Sequence, residues 1–124
     1  MKVMVVDDEK DVQPLFEQRF RKEIRNGELT FQFAWSGEEA LNFLNGTPPK
    51  AVLILSDINM PGMSGLELLG KIKKDHQIPP PFVMMITAYG DEINHKKAME
   101  LGADDFLTKP VDFNELKQKI KILI

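Results

Sequence analysis

The sequence predicts an α/β domain in which a five-stranded parallel sheet is covered by helices on both faces, giving three layers in a doubly wound (βα)5 arrangement. Apolar runs of strand length alternate five times with segments of helical periodicity. Repeated β-α units place successive strands in parallel, because each crossover returns the chain to the same edge of the sheet. The near-continuous apolar run at 51–55 is typical of a strand that is buried on both faces.

The apolar runs predict five strands, at 2–6, 30–34, 51–55, 82–86 and 105–107. Between the first two runs, apolar residues recur at the spacing of one helix face, which predicts a helix through Val12, Leu15, Phe16, Phe20 and Ile24. This helix is expected to end at the Asn26-Gly27 pair. The Pro-rich segments at 47–50 and 78–81 are expected to be loops that enter the third and fourth strands.

Each of the other four helices has a recognisable beginning. Ser36 and Ser64 each precede a Glu by three residues, which is the spacing of a capping box. Asp91 and Asp112 are placed to cap the fourth and fifth helices, and Gly102 closes the fourth. These starts complete a β-α order that is repeated five times.

Composition limits the classes of protein to which the chain can belong. The 124 residues suffice for one domain, at 1–124, and 43% of them are apolar, as in a globular protein. The chain has no Cys, which excludes disulfides, thiolate metal sites and cysteine nucleophiles. No apolar run approaches the roughly 20 residues that span a bilayer, and the N-terminus lacks a signal pattern. We therefore expect a cytoplasmic domain without a membrane partner.

Charge limits the partners. Sixteen Lys and Arg against 19 Asp and Glu give a net charge of −3, which argues against direct binding of nucleic acid by this domain. The balance is uneven, because residues 106–124 carry four Lys against two acids and the remainder of the chain is acidic. A basic face on the last helix is expected, either as a solvated surface or as an interaction surface.

The residues that follow the predicted strands carry the chemistry. Because the carboxyl ends of parallel strands meet at one edge of the sheet, side chains from distant parts of the chain are expected to converge there. The set comprises acids, one hydroxyl and one ammonium: Asp7, Asp8 and Glu9 after the first strand, Asp57 after the third, Thr87 after the fourth and Lys109 after the fifth.

Such a set predicts a metal site with phosphoryl chemistry. Clustered carboxylates repel one another, which raises their pKa values or demands a cation, and oxygen ligands from few protein groups favour Mg²⁺. A remaining carboxylate oxygen can then attack phosphorus, while Lys109 and Thr87 bind phosphoryl oxygens. Taken singly, each residue has an ordinary alternative, such as an acid at a helix N-terminus, a turn Thr or a surface Lys. Their coincidence at four strand ends out of five favours a functional site.

Four stretches of the sequence resemble the receiver domain of two-component response regulators, of which the chemotaxis response regulator is one. They are VMVVDDE at 3–9, LSDINMPGMSG at 55–65, ITAYG at 86–90 and GADDFLTKP at 102–110. The resemblance extends over the whole chain, with the four motifs in order and correctly spaced. It implies a flavodoxin-like strand order, 2-1-3-4-5.

The resemblance implies a phosphoacceptor and a metal site. Asp57 would take a phosphoryl group from a sensor histidine kinase or a histidine phosphotransfer protein. Asp8 would bind Mg²⁺ directly and Asp7 mainly through water. Asp57 and the backbone carbonyl of Asn59 would complete the set of protein ligands.

The resemblance also implies the residues that respond to the phosphoryl group. Thr87 and Lys109 would bind it, and Tyr89, like Asn59, would tune its lifetime. Phe106 would be the aromatic switch residue, acting through packing alone because Phe lacks a hydroxyl, and an ordinary core Phe is the alternative. The peptide bond that precedes Pro110 would be cis.

An output surface follows from the same resemblance. The family's α4-β5-α5 surface corresponds here to the fourth predicted helix, the fifth strand and the fifth helix, at 92–101, 105–107 and 113–124. An effector domain, a target protein or a second phosphorylated copy of the chain would dock there. His95 lies on the fourth helix without a ligand-spaced companion and is expected to be an ordinary surface residue.

Three functions compete. The first is a phosphorylation-activated signalling switch, which is not an enzyme but assists its own phosphotransfer and autodephosphorylation. The second is a Mg²⁺-dependent phosphatase with an aspartyl-phosphate intermediate, which would usually carry a second acid at the position of Asn59. The third is a pseudo-receiver interaction module, which normally lacks an acid, the Thr or the Lys, whereas this sequence lacks none of them.

Overall fold

Five strands form the central sheet of the computed structural model, which describes residues 1–45, 51–75 and 81–123. They are β1 (Lys2–Val6), β2 (Thr30–Ala34), β3 (Ala51–Asp57), β4 (Phe82–Thr87) and β5 (Asp105–Thr108). The strand order is β2-β1-β3-β4-β5, and all four neighbouring pairs are parallel. The predicted fold class and strand order are confirmed.

The described part of the chain contains six helices. They are α1 (Val12–Arg19), α2 (Arg21–Arg25), α3 (Gly37–Asn45), α4 (Gly65–Asp75), α5 (Glu92–Glu100) and α6 (Phe113–Leu123). The fourth and fifth predicted helices are therefore α5 and α6. The loops predicted at 47–50 and 78–80 lie outside the described residues, as does Ile124. Within the described ranges, none of the helices has the length and apolar character needed to cross a membrane.

The prediction of one continuous first helix is wrong. At Phe20 the backbone leaves helical geometry, with φ −108° and ψ 19°, and this separates α1 from α2. The Phe20 ring is buried and stacks on Phe16 with 6.1 Å between ring centroids, so the break between the helices accompanies the packing of both rings in the core. Leu15 and Ile24, which the periodic pattern places on the same helix face as Phe16 and Phe20, are 41% and 38% exposed. The left-handed Gly27 (φ 74°) follows α2, as predicted for the end of this segment.

The core lies in two layers, one on each face of the sheet. Val3 and Val5 face one side and Met4 and Val6 the other, as the two-residue period of a strand requires. The first layer is completed by buried residues of α1, the turn after it and α6: Phe16, Phe20, Leu116 and Ile120. The second is completed by buried residues of α3, α4 and α5: Ala40, Leu44, Leu68, Leu69, Ile72 and Ala98. Each fully buried large apolar side chain contributes roughly 1.5–3 kcal/mol, so both layers are needed to hold the sheet.

The predicted helix starts are confirmed by their caps. In each, the side-chain oxygen accepts the N–H of the residue three positions later, at 3.0–3.2 Å: Ser36 from Glu39, Ser64 from Glu67, Asp91 from Asn94 and Asp112 from Glu115. Because these bonds satisfy first-turn N–H groups that have no helical partner, they define where each helix begins.

Three strands run further than the apolar pattern predicts, and one of them is β5, which ends at Thr108 instead of Leu107. β3 extends to Asp57 and β4 to Thr87, so both residues end their strands instead of following them. Asp57 lies opposite Ile86, and Thr87 lies opposite Thr108. Pairing at these positions fixes the backbone of both polar residues at the carboxyl edge of the sheet.

Candidate functional site

Three of the predicted acids form one cluster at the carboxyl edge. In the described residues, Asp7, Asp8 and Asp57 each offer a carboxylate oxygen within 4.8 Å of the others, a spacing that one metal ion could bridge. Asp7 and Asp57 are buried, at 7% and 3% exposure, while Asp8 is exposed. The cluster is therefore open to solvent on the side of Asp8.

Asp7 is the acid whose ionisation this environment opposes most clearly. Burial raises its pKa above the ordinary value, and the N–H of Glu9, which donates to Asp7 Oδ1 at 2.9 Å, offsets part of that effect. The negative charge of Asp57 raises the pKa further. The Glu9 side chain is exposed and lies outside the cluster, so Glu9 contributes its backbone N–H there.

Lys109 reaches the cluster from the end of β5. Its Nζ donates to Asp57 Oδ2 at 2.8 Å, and its backbone N–H donates to the Thr87 carbonyl at 2.9 Å. Burial lowers the pKa of the Lys109 ammonium, but the hydrogen bond to Asp57 and the surrounding carboxylates outweigh it and raise the pKa overall. The ammonium thus stays protonated beside the Asp57 carboxylate. The Lys109–Pro110 peptide bond is cis.

The backbone at Asp57 and directly after it is tightly packed. The N–H of Asn59 points to Asp57 Oδ1 at a long 3.4 Å, and the N–H of Gly65 donates to the Ile58 carbonyl at 2.8 Å. A Cβ at Gly65 would clash with the Asp57 carbonyl oxygen and lie 2.7 Å from the Ile58 Cα. Sequence reasoning did not identify Gly65 as part of the site, although it lies inside the motif at 55–65.

The predicted switch residues lie between this cluster and α5. Thr87 is 5% exposed, and its hydroxyl donates to the Leu107 carbonyl at 3.5 Å, so its hydrogen bond in this structure is to β5. Phe106 is half-buried, and its ring centroid lies 3.9 Å from that of His95. The expectation that His95 is an ordinary surface residue is wrong, because His95 is half-buried and covers Phe106.

The two predicted tuning residues lie at the margin of the cluster. Tyr89 is 89% exposed, and Asn59 is exposed apart from the contact of its N–H with Asp57. The structure therefore brings together Asp7, Asp8, Asp57 and Lys109, places Thr87 and Phe106 along β4 and β5, and leaves Tyr89 in solvent.

Comparison with known proteins identifies the family. The family model described as the response regulator receiver domain matches residues 3–121. This chain belongs to the response regulator receiver domain family. The chain therefore shares its fold and sheet order with receiver domains of two-component response regulators.

Solved receiver domains superimpose closely on this one. The receiver domain of the Francisella response regulator 1452 is 31% identical, with a TM-score of 0.80 over 98% of this chain and 94% of that one. The receiver domain of NtrX from Brucella abortus is 30% identical, with a TM-score of 0.79 over 96% of this chain and 94% of that one.

A third similar structure contains a partner. It is the receiver domain of the Saccharomyces cerevisiae response regulator Ssk1, crystallised with the histidine phosphotransfer signaling protein Ypd1. This receiver domain is 26% identical to the present chain, with a TM-score of 0.83 over 97% of this chain and 86% of that one.

Proposed function

We propose that this receiver domain is a cytoplasmic, phosphorylation-activated signalling switch, in which Asp57 accepts a phosphoryl group from a sensor histidine kinase or a histidine phosphotransfer protein. The observation that carries the proposal is the placement of Asp57. It is buried at the end of β3, 2.8 Å from the Lys109 ammonium and in one cluster with Asp7 and Asp8. A carboxylate between an ammonium and two further acids is arranged for attack on an anionic phosphoryl group.

The acids fit Mg²⁺. They are hard oxygen donors, few in number, and the exposed side of Asp8 leaves room for the water ligands that Mg²⁺ retains. Asp8 and Asp57 would bind the ion directly, Asp7 mainly through water, and the Asn59 carbonyl would complete the protein ligands. The bound ion would neutralise charge on the carboxylates and on the incoming phosphoryl oxygens.

In the transfer step, one carboxylate oxygen of Asp57 forms a bond to phosphorus as the P–N bond of the donor phosphohistidine breaks. The imidazole leaves with the bonding electron pair. Lys109, already within hydrogen-bond distance of Asp57, pairs with a phosphoryl oxygen as a point charge. Later, a water oxygen attacks the phosphorus, the bond from Asp57 to phosphorus breaks, and inorganic phosphate leaves with the free carboxylate restored. Asn59 and Tyr89 flank the path of that water. This self-dephosphorylation distinguishes the switch from an enzyme that acts on a separate substrate.

The output surface comprises α5, β5 and α6, at 92–100, 105–108 and 113–123. The Thr87 hydroxyl makes only a long bond to Leu107, so it can turn toward a phosphoryl oxygen. That movement opens space into which Phe106 can move from under His95. An effector domain, a target protein or a phosphorylated second copy would bind the altered surface.

The comparison with the yeast complex supports the donor class. There, a receiver domain similar to this chain is bound to a histidine phosphotransfer signaling protein. The full set of Asp7, Asp8, Asp57, Thr87 and Lys109 argues against the pseudo-receiver alternative. Asn59 at the position of a second catalytic acid argues against the phosphatase.

The test treats the protein with acetyl phosphate or beryllofluoride, with and without Mg²⁺, and measures intact mass and backbone amide spectra. We expect a Mg²⁺-dependent phosphoryl adduct with acetyl phosphate, and with either reagent amide shifts that spread from Asp57 toward Phe106 and α6. The Asp57→Asn variant should lose both. The matched control is Asp11→Asn, because Asp11 is exposed and its side chain makes no cap bond. Absence of both adduct and shifts in the unmodified protein would contradict the proposal and favour a pseudo-receiver.

A further inference from the structure

The arginines of this chain are concentrated in one short segment. All three, Arg19, Arg21 and Arg25, lie within α1 and α2, and all are exposed. Together with three lysines they line two adjoining cavities of about 230 and 410 Å³ beside α2 and α6. We call this surface the basic groove, and its cationic residues are Arg19, Arg21, Lys22, Arg25, Lys117 and Lys121.

The basic groove lies away from the phosphoacceptor. Leu29, at its floor, directly precedes β2, which places the groove at the amino edge of the sheet, whereas Asp57 ends β3 at the carboxyl edge. A partner in the groove would therefore not compete for Asp57.

The charge of the basic groove is largely unpaired. Four of its cations form no ion pair within the described ranges 1–45, 51–75 and 81–123: Arg21, Lys22, Arg25 and Lys121. Arg21 and Arg25 are four residues apart on one helix, a spacing at which like charges repel. A protein of net charge −3 thus concentrates its arginines on one surface, and of these Arg19 also packs over the Phe113 ring, 5.5 Å from the ring centroid. Arginine is the side chain suited to paired hydrogen bonds with a carboxylate or phosphate.

Glu23 adds an unsatisfied acceptor to the wall of the groove. Its Oε2 lies 3.4 Å from Lys117 Nζ, whereas its Oε1 is buried and has no hydrogen-bond partner among the described residues. A buried acceptor without a donor is costly, so a ligand N–H that meets Oε1 when the partly exposed Glu23 side chain turns toward the groove would gain a favourable bond. The basic groove therefore offers both cations for an anion and one acceptor for a donor.

We propose that the basic groove binds an acidic peptide segment of a partner protein. The Asp or Glu side chains of such a segment would pair with Arg21 and Arg25, and one of its backbone N–H groups would donate to Glu23 Oε1. A nucleic acid backbone offers anionic oxygens without N–H donors, so it would leave Glu23 Oε1 without a partner. A peptide supplies both carboxylates for the arginines and an N–H donor for Glu23, so these contacts favour a peptide over a nucleic acid.

In the first test, isotope-labelled protein is titrated at low salt with a terminally blocked peptide of alternating Glu and Gly. Binding is followed by the backbone amide spectra of the protein. We expect saturable shifts at 19–25 and 117–121, and none with the peptide in which Gln replaces Glu. Arg21→Gln combined with Arg25→Gln should weaken binding roughly tenfold, because two charge-assisted contacts are lost. The matched control is Lys71→Gln with Lys96→Gln on α4 and α5, which makes the same change in net charge at exposed sites and should alter affinity by less than about twofold.

The second test asks whether the groove prefers a peptide or a nucleic acid. It compares the dissociation constant of the same peptide with that of oligothymidylate of equal charge. Glu23→Leu removes a negative charge, so it should tighten oligothymidylate binding, whereas the peptide loses its acceptor and should bind more weakly. Circular dichroism verifies that this variant is folded. Three results would overturn the proposal: no saturable shifts in the basic groove, tighter binding of oligothymidylate than of the peptide, or equal tightening of both ligands by Glu23→Leu. None of these measurements requires phosphorylation, so their outcome is independent of the test at Asp57.

Discussion

Asp7 is a buried acid beside a second acid, and this position makes ionisation of its carboxyl group unfavourable in the folded domain. Burial first, and then the charge of Asp57, raise its pKa, and the single N–H from Glu9 compensates only in part. When a carboxyl has a higher pKa in the folded than in the unfolded state, folding favours the protonated form. Stability therefore falls as pH rises from the unfolded pKa of about 4 through the raised folded value.

This predicts that Asp7→Asn stabilises the metal-free protein at neutral pH. Asn keeps an oxygen to accept the Glu9 N–H but carries no charge, so the melting temperature should rise by a few degrees at pH 7. The gain should shrink as pH falls toward 4, where Asp7 becomes protonated. Thermal unfolding followed by circular dichroism in chelator-containing buffers checks this, with the exposed Asp11→Asn as control. A gain that does not depend on pH would contradict the assignment to ionisation of Asp7.

At the scale of elements, the junction of β3 and α4 depends on Gly65. The first residue of α4 passes so close to the end of β3 that a Cβ there would clash with the Asp57 carbonyl. Gly65→Ala should therefore push α4 away from β3 and destabilise the domain by about 2–3 kcal/mol, measured by urea unfolding. The displacement should also disturb the Asp57 backbone, so amide shifts should be largest at 57–65.

Gly70 provides the matched control within the same helix. A Cβ at Gly70 would meet only the Leu101 side chain at 3.7 Å, an ordinary contact. Gly70→Ala should be neutral or stabilising by about 0.5–1 kcal/mol, because Ala loses less conformational freedom in a helix. Equal destabilisation by both substitutions would show that the close approach to Asp57 is not the cause.

The elements that could be predicted from sequence are those with local signals. Ser36 and Asp91 mark helix starts because the cap bond joins residues three apart. The ends of β3 and β4 could not be predicted, because Asp57 and Thr87 break the apolar pattern and are held in their strands by pairing with distant residues. The break at Phe20 was missed for the same reason, since it accompanies packing against residues from other elements.

The same distinction applies to the candidate site. The strand ends predicted the convergence of Asp7, Asp57 and Lys109, since parallel topology alone brings such residues to one edge. The contact of His95 with Phe106 was not predictable, because it depends on how α5 sits against β5. A lone His on a helix carries no local signal of such a contact.

Across the whole molecule, the sheet separates two edges of opposite charge. The carboxyl edge holds the acids Asp7, Asp8 and Asp57, and the amino edge holds the basic groove. β5 lies at one side of the sheet, with α5 packed in one layer and α6 in the other. A change at the end of β4 can therefore reach both helices through one strand, and the ion pair of Lys119 with Asp105, at 2.8 Å, couples α6 to that strand.

The acidic edge predicts a metal-dependent stability of the entire domain. A cation that binds the folded but not the unfolded chain stabilises it by mass action, by about 1.4 kcal/mol when Mg²⁺ is tenfold above its dissociation constant. Urea unfolding at pH 7, with NaCl used to match ionic strength, should show this increase. Asp8→Asn should remove most of the increase, because it takes away a carboxylate ligand without disturbing the buried core.

The effect of Mg²⁺ should also depend on Asp7. Without metal, Asp7→Asn relieves repulsion between buried acids, whereas with saturating Mg²⁺ the same substitution removes a charge that attracts the cation. The stability gain of Asp7→Asn should therefore shrink or reverse as Mg²⁺ is added, which a double-mutant comparison with Asp8→Asn can quantify. Lys71→Gln, on an exposed face of α4, should leave the Mg²⁺ effect unchanged. Two outcomes would contradict a specific cation site formed by the three acids. The first is that NaCl alone stabilises the domain as much as Mg²⁺ does, and the second is that Asp8→Asn keeps the Mg²⁺ stabilisation.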